Sequence, residues 1–278
     1  MKRFFALALA MLMIVACFAG CGKDNNAGAT ANTTTTATTE KVATVGYTIY
    51  EPMNYEKDGQ LVGFDTELAK AVFDKLGYKV VFKLIDWDQK YTELNSGTIT
   101  CIWNGFTANT ADDDGVARAD KVDFSYNYMG NKQVLVAKTD LANKIADVKS
   151  LAGKVGAVEN SSAGDTYLTS KLTGAIKKGV TSQLDAMKEL SMGAVDFAVV
   201  DEQLAKAYVG KGDYAALKIA EKVYSDAEYY AIGFKKGSEL TANVNTTLEA
   251  LAADGTIAKL AAKYGVSNTA IVDFSDQK

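Results

Sequence analysis

From Val42 onward, short β-rich runs alternate with longer stretches of helical period, and the cycle runs twice. KVATVGYTIY is rich in strand formers. FDTELAKAVFDKLG places Phe64, Leu68, Val72 and Leu76 four apart on one helical face. Asp65 or Thr66 can cap the start of that helix, and Gly77 can end it. YKVVFKLI reads as a strand and DQKYTELNSG as a short helix. ITCIWN reads as a strand apolar enough to be buried on both faces, and KQVLVAK as another strand. A second cycle follows, with strands near 153–158 and 195–200 and helices from about Ser162, over 182–192 and over 202–209. EYYAIGFKKG reads as a strand, and two helices close the chain. This alternation predicts an α/β protein of two lobes, each a mostly parallel sheet flanked by helices. In such sheets ligands sit beyond the carboxyl ends of strands, at helix N-termini. Any candidate site residue must pass that test of location.

Composition narrows the function. The 278 residues contain no histidine, which removes the commonest general base and the commonest metal ligand. The net charge is −4 and no basic stripe is present, so nucleic acid is not an expected partner. Lys2 and Arg3 precede an apolar run from Phe4 to Phe18, then Ala19, Gly20 and Cys21. This order predicts a lipoprotein signal peptide over 1–20, with Cys21 lipidated and Cys17 as the rival position. Residues 21–41, rich in Thr, Ala and Asn, read as a flexible tether. The chain is then anchored to a membrane by lipid, not threaded through it. No later apolar run reaches the roughly 18 residues of a membrane-spanning helix. Cys101 lies in an apolar run and reads as a buried free thiol.

Three stretches pass the test of location. Asn104, Gly105 and Thr107 follow the strand ITCIWN. Ser161 and Ser162 follow a strand and open a helix, where hydroxyls and free backbone N–H groups can receive a carboxylate. The plain alternative is a serine N-cap. Asp201 ends a strand and starts a helix, and there it can pair with an ammonium or cap the helix. Tyr47, Tyr50 and Trp87 follow strands and offer aromatic faces to an apolar or cationic side chain. The run Asp112-Asp113-Asp114-Gly115 has three consecutive carboxylates, which cannot all face one cation, so it reads as a solvated surface loop. No metal or cofactor is expected.

EPMNYEKDGQLVGFDTELAKAVFDKLG, DWDQKYTELNSGTITCIWNGFT, SLAGKVGAVENSSAGDTY and GAVDFAVVDEQLAKAY, in that order, resemble the polar-amino-acid solute-binding proteins of ABC importers, the family-3 type. The resemblance covers Val42 to Val266 and implies a receptor that closes two lobes on an amino acid and is recognised by a permease and its ATPase. It implies lobe 1 over 42–131 plus 228–268, lobe 2 over 132–227, a tail over 269–278, and two strand-like hinge crossings. It also implies that Tyr50 covers the ligand, Trp87 stacks on it, and Asn104, Gly105 and Thr107 meet the head group. Ser161 and Ser162 would bind the carboxylate and Asp201 the α-ammonium.

The family usually places an arginine five residues after the hydroxyl of T-x-T-x-x-R. Counted forward from Thr107 that place is Asp112; counted backward from VDFS it is Arg118. The difference implies an insertion of six residues, roughly TADDDG. Either Arg118 returns to clamp the carboxylate and the aspartates face water, or Asp112 stands in the cleft. Tyr47 stands where relatives that bind basic amino acids often have an acid, which argues against lysine or arginine as ligand. Thr100 replaces a usual aspartate and reads as structural. A monomeric receptor outside the cytoplasm, on the outer face of the membrane or in the periplasm, is the main reading. The rivals are a binder of a cationic amine without a carboxylate, and an enzyme like cyclohexadienyl dehydratase. Such an enzyme needs an extra acid in the cleft with a raised pKa, and Asp112 is the one candidate the sequence names.

Overall fold

The computed structural model describes residues 40–277. The expected signal peptide, the expected lipidation site Cys21 and all but the last two residues of the expected tether lie outside the described residues.

Two five-stranded sheets organise the body. The first has the order Tyr78–Leu84, Lys41–Tyr47, Cys101–Ile102, Gly233–Phe234, Asp123–Phe124. The second has the order Ile176–Val180, Val155–Glu159, Phe197–Asp201, Gln133–Lys138, Leu217–Tyr224. The expectation of mostly parallel sheets needs correcting. In the first sheet Lys41–Tyr47 is parallel to both of its neighbours, and Gly233–Phe234 is antiparallel to both of its own. In the second, Val155–Glu159 has two parallel neighbours and Gln133–Lys138 two antiparallel ones. The antiparallel strands are those that enter a sheet after the chain has crossed from the other one. Such a strand needs no helical crossover to reach its place. The crossings run side by side as an antiparallel ribbon, Met129–Asn131 against Glu228–Tyr230.

Strand Phe197–Asp201 shows why these segments become strands. Phe197 and Val199 point to one face and Ala198 and Val200 to the other, all four essentially without exposure. A run buried on both faces suits the middle of a sheet covered by helices. Helix Phe64–Lys75 buries Phe64, Leu68 and Val72 on one stripe, as the four-residue spacing requires. Its cap differs from expectation. The N-cap is Gly63, without a side-chain cap bond. Asp65 instead accepts from the Gly105 N–H and the Tyr128 hydroxyl, each at 2.8 Å. Thr66 donates to the Val62 carbonyl and accepts from Asn54. Both residues are therefore used in the core and not at the helix end. Cys101 is buried and free. Thr100 accepts from the Thr44 N–H at 2.9 Å, the structural task expected of it. No described helix is long and apolar enough to cross a membrane.

Candidate functional site

A small enclosed cavity lies where the carboxyl ends of the two sheets meet. Trp87, Asn104, Gly105, Thr107 and Arg118 line it from the side of the first sheet. Gln133, Glu159, Ser162, Ala163, Gln183 and Asp201 line it from the second. Its free volume is about 10 Å³, room for about one water. An amino acid does not fit this closed form, so entry requires the walls to part.

The inserted segment folds back on itself. Asp112 N donates to Val116 O and Arg118 N to Thr110 O, each at 3.0 Å, and Ala111 pairs antiparallel with Ala117. The loop thus projects as a short hairpin and returns Arg118 to the cavity wall. Arg118 is 1% exposed. Its Nε lies 2.7 Å from Asp112 Oδ1, its Nη1 donates to Thr107 O at 3.2 Å, and its Nη2 donates to Ser161 O at 3.3 Å. Asp112 also accepts from the Tyr91 hydroxyl at 2.7 Å and from Lys121 at 2.8 Å. The reading of the aspartate run as solvated fails for Asp112, because a buried guanidinium needs a counter-charge. Asp113 and Asp114 do face water. Arg118 and Asp112 are not alternatives for one place; they form an ion pair, with Arg118 on the cavity wall and Asp112 behind it. Burial pushes the Asp112 carboxyl up, but the Arg118 charge and the bonds from Lys121 and Tyr91 outweigh it and hold it at about 2.

Lys90 is a second buried cation, 1% exposed. Its Nζ donates to Trp87 O at 3.3 Å and to Ser161 O at 3.1 Å, and burial followed by the Arg118 charge lowers its pKa to about 8. The Ser161 carbonyl is therefore shared by Lys90 and Arg118, with Ser161 held in left-handed backbone at φ 55°. Ser162 Oγ accepts from Asp165 N at 3.0 Å, so its hydroxyl is an N-cap as well as part of the wall.

Asp201 is surrounded by amides. Its Oδ1 accepts from Asn131 at 2.6 Å and Gln133 at 2.5 Å, and its Oδ2 from Gln183 at 2.5 Å. Gln133 and Asn131 also donate to Glu228, at 2.9 and 3.2 Å, and Thr107 does so at 3.3 Å. Burial raises the Asp201 pKa, and the four donors Gln183, Gln133, Asn131 and Tyr230 resist that rise. Burial and the Asp201 charge raise Glu228 to about 7. Asp201 makes no side-chain cap bond to the helix it precedes.

The other residues named from sequence divide. Trp87 lies on the wall, with its ring edge-on to Phe106 at 5.5 Å. Asn104 is on the wall, but its amide bonds Thr48 and Asn54. Gly105 has φ 57°, and a Cβ there would meet the Tyr50 ring at 2.6 Å, so only glycine passes between Tyr50 and the cavity. Tyr50 is consequently one layer back, its hydroxyl 2.7 Å from that of Tyr230. Tyr47 packs edge-to-face on Phe82 at 6.1 Å, away from the lining. Sequence reasoning missed Glu159, Gln183, Gln133 and Lys90. Glu159 ends its strand and Gln183 starts a helix, so the test of location alone would have found both. Lys90 opens the short helix Lys90–Asn95 and passes the same test, whereas Gln133, at the start of a strand, carries no such signal.

Residues 43–267 match the model of the bacterial extracellular solute-binding proteins, family 3. The chain belongs to this family. Among its relatives is the L-cystine-binding protein TcyA of Bacillus subtilis, 31% identical over 267 residues, 93% of this chain and 96% of TcyA. An ancestral arginine-binding protein bound to arginine is 33% identical with a TM-score of 0.73, over 81% of this chain and 98% of that one. The ancestral amino acid-binding protein AncCDT-1, a precursor of cyclohexadienyl dehydratase, is 29% identical with a TM-score of 0.70, over 80% and 94%. This solute-binding protein is thus a two-lobe, extracytoplasmic receptor of the amino-acid ABC-importer type.

Proposed function

We propose that this receptor captures an α-amino acid between the lobes 42–131 plus 228–268 and 132–227, with the ribbon at 129–131 and 228–230 as hinge. One observation carries the reading: Arg118 and Asp201, buried charges of opposite sign, line one enclosed cavity from the two lobes. Arg118 and the Ser161–Ser162 helix start receive the carboxylate. The amide-held Asp201 attracts the α-ammonium. Trp87 covers the ligand, Tyr50 supports Gly105 from behind, and Tyr47 is a packing residue. Ligand closes the hinge, and a permease reads the closed form. The protein is monomeric, is held to the membrane through a lipidated Cys21, and performs no catalysis. Asp112, on which both rival readings leaned, is ionised and committed to Arg118. Asp112 is therefore neither a free acceptor for an amine nor an acid with a proton to give. The cavity's acids of raised pKa are Asp201, which the receptor reading assigns to the α-ammonium, and Glu159, which it leaves open to the ligand.

Thermal unfolding of residues 41–278 with each of the twenty amino acids, cystine, ornithine and putrescine tests this. A ligand at 100 times its dissociation constant adds about 2.7 kcal/mol, a shift of a few degrees. A shift with one or a few α-amino acids is expected. Shifts with putrescine alone, or with none of the panel, overturn the proposal.

A further inference from the structure

Glu159 is the one buried acid of the cavity that the site as described does not use. It ends strand Val155–Glu159, is 4% exposed, and lines the cavity. No hydrogen bond and no ion pair reaches its carboxyl among the described residues. Asp201, one strand away, differs sharply, since Asn131, Gln133, Gln183 and the Tyr230 hydroxyl occupy its oxygens. Asp201 is thus stabilised by protein donors and meets the head group by charge, whereas Glu159 keeps its acceptor positions open. The pairing of Phe197 with Gly156 and of Ala198 with Ala157, carried forward, sets Glu159 beside Val200, one step short of Asp201. Two carboxyls thus enter one cavity from neighbouring strands.

Charge balance indicates what the second one is for. Arg118 is already balanced by Asp112. Lys90, whose charge its two carbonyl partners do not cancel, balances one of the two cavity acids, Asp201 and Glu159, and leaves the other in surplus. A zwitterionic head group brings one charge of each sign and leaves the surplus of acid unchanged. A ligand of net charge +1 removes it. Burying an acid without a partner is costly, so its presence in a binding cavity calls for a cation.

Resting on the receptor reading above, we propose that Glu159 pairs with a positively charged ligand side chain and so selects basic amino acids over neutral ones of the same shape. Tyr47 had argued against such a ligand because lobe 1 lacks an acid there; Glu159 supplies one from lobe 2. The groups facing Glu159 are Asp201 on the adjacent strand and Lys90, Asp88 and Arg118 across the cavity. Burial, then Asp201, push its pKa up to about 8 against Lys90 and Arg118. Near neutral pH the free protein therefore holds a proton on Glu159. A cationic side chain expels it, and affinity rises about tenfold per pH unit below that value.

The test is calorimetric titration of the purified protein near pH 7 with L-arginine and with its neutral isostere L-citrulline, each in two buffers of different ionisation enthalpy. Arginine should bind at least about tenfold tighter and release about one proton, while citrulline releases none. Glu159→Gln should lose both the preference and the proton release yet still bind citrulline. Proton release by the wild-type protein is a readout that stands even where that variant fails to fold. Equal binding of the two ligands, no proton release with arginine, or an unchanged preference in Glu159→Gln overturns the inference and leaves the receptor reading intact. So does binding confined to neutral amino acids. Failure of the twenty amino acids, cystine and ornithine alike to bind overturns both.

Discussion

Arg118 and Asp201 line one cavity, both are buried, and they are held in opposite ways. Arg118 has a full counter-charge, Asp112, at 2.7 Å. Asp201 has only neutral amide and hydroxyl donors, and Glu228, of the same sign, shares two of those donors. The pair in lobe 1 fixes a charge outright. The collar around Asp201 stabilises a charge by dipoles and leaves it open to protonation, because burial and a like charge both favour the neutral acid. One wall is permanently charged and the other can answer to the ligand.

The largest effect expected from this contrast is at Arg118. Arg118→Met removes one partner of a buried pair and leaves Asp112 with only Lys121 and Tyr91. Urea unfolding should show a loss of about 3–5 kcal/mol. The double variant Arg118→Met with Asp112→Leu should recover most of it. A single-variant loss below about 1 kcal/mol would mean the pair is ornamental and the contrast false.

Next is the pH response of Asp112. Its folded pKa lies below the ordinary value of 3.8, at about 2. A depressed carboxyl contributes stability that is present above the unfolded pKa and lost as pH falls through the folded one. Wild-type protein should therefore lose on the order of 2 kcal/mol between about pH 4 and pH 2 through this group. Asp112→Asn should remove that part of the slope, measured by unfolding at several acidic pH values. Glu228 should behave in the reverse sense. Its folded pKa is raised to about 7, so its contribution is full below the unfolded value and is lost as pH rises toward 7. Glu228→Gln should flatten that decline by on the order of 1 kcal/mol, since Asp201 shares the titration. A decline as steep in the variant as in the wild type would show that the collar neutralises its acids without help from protons.

Much of this site was legible in the sequence. The helix at 64–75, the strands on either side of it and the places of Arg118, Ser162 and Asp201 follow from period and from strand ends. What was hidden depends on contacts between distant segments. Asp112 looks like a loop residue because its neighbours Asp113 and Asp114 are solvated; only the returning hairpin sets it against Arg118. The mixed sheets follow from where the chain crosses between lobes, which no local pattern encodes. Tyr50 looks like a ligand lid until Gly105 is seen in front of it.

The smallest effect expected belongs to Ser161, where the two walls touch. Its left-handed backbone costs a residue with a Cβ about 1–2 kcal/mol, and glycine avoids that cost while giving back about 0.5–1 kcal/mol in unfolded-state entropy. Ser161→Gly should therefore stabilise the closed form by less than about 1 kcal/mol, because the carbonyl that joins Lys90 and Arg118 is retained. If the hydroxyl also receives the ligand carboxylate, as proposed, the same variant should bind its amino acid more weakly while melting no lower. Weaker binding with lower stability would instead assign the backbone geometry to the serine side chain, and the left-handed cost at Ser161 could not then be what glycine relieves.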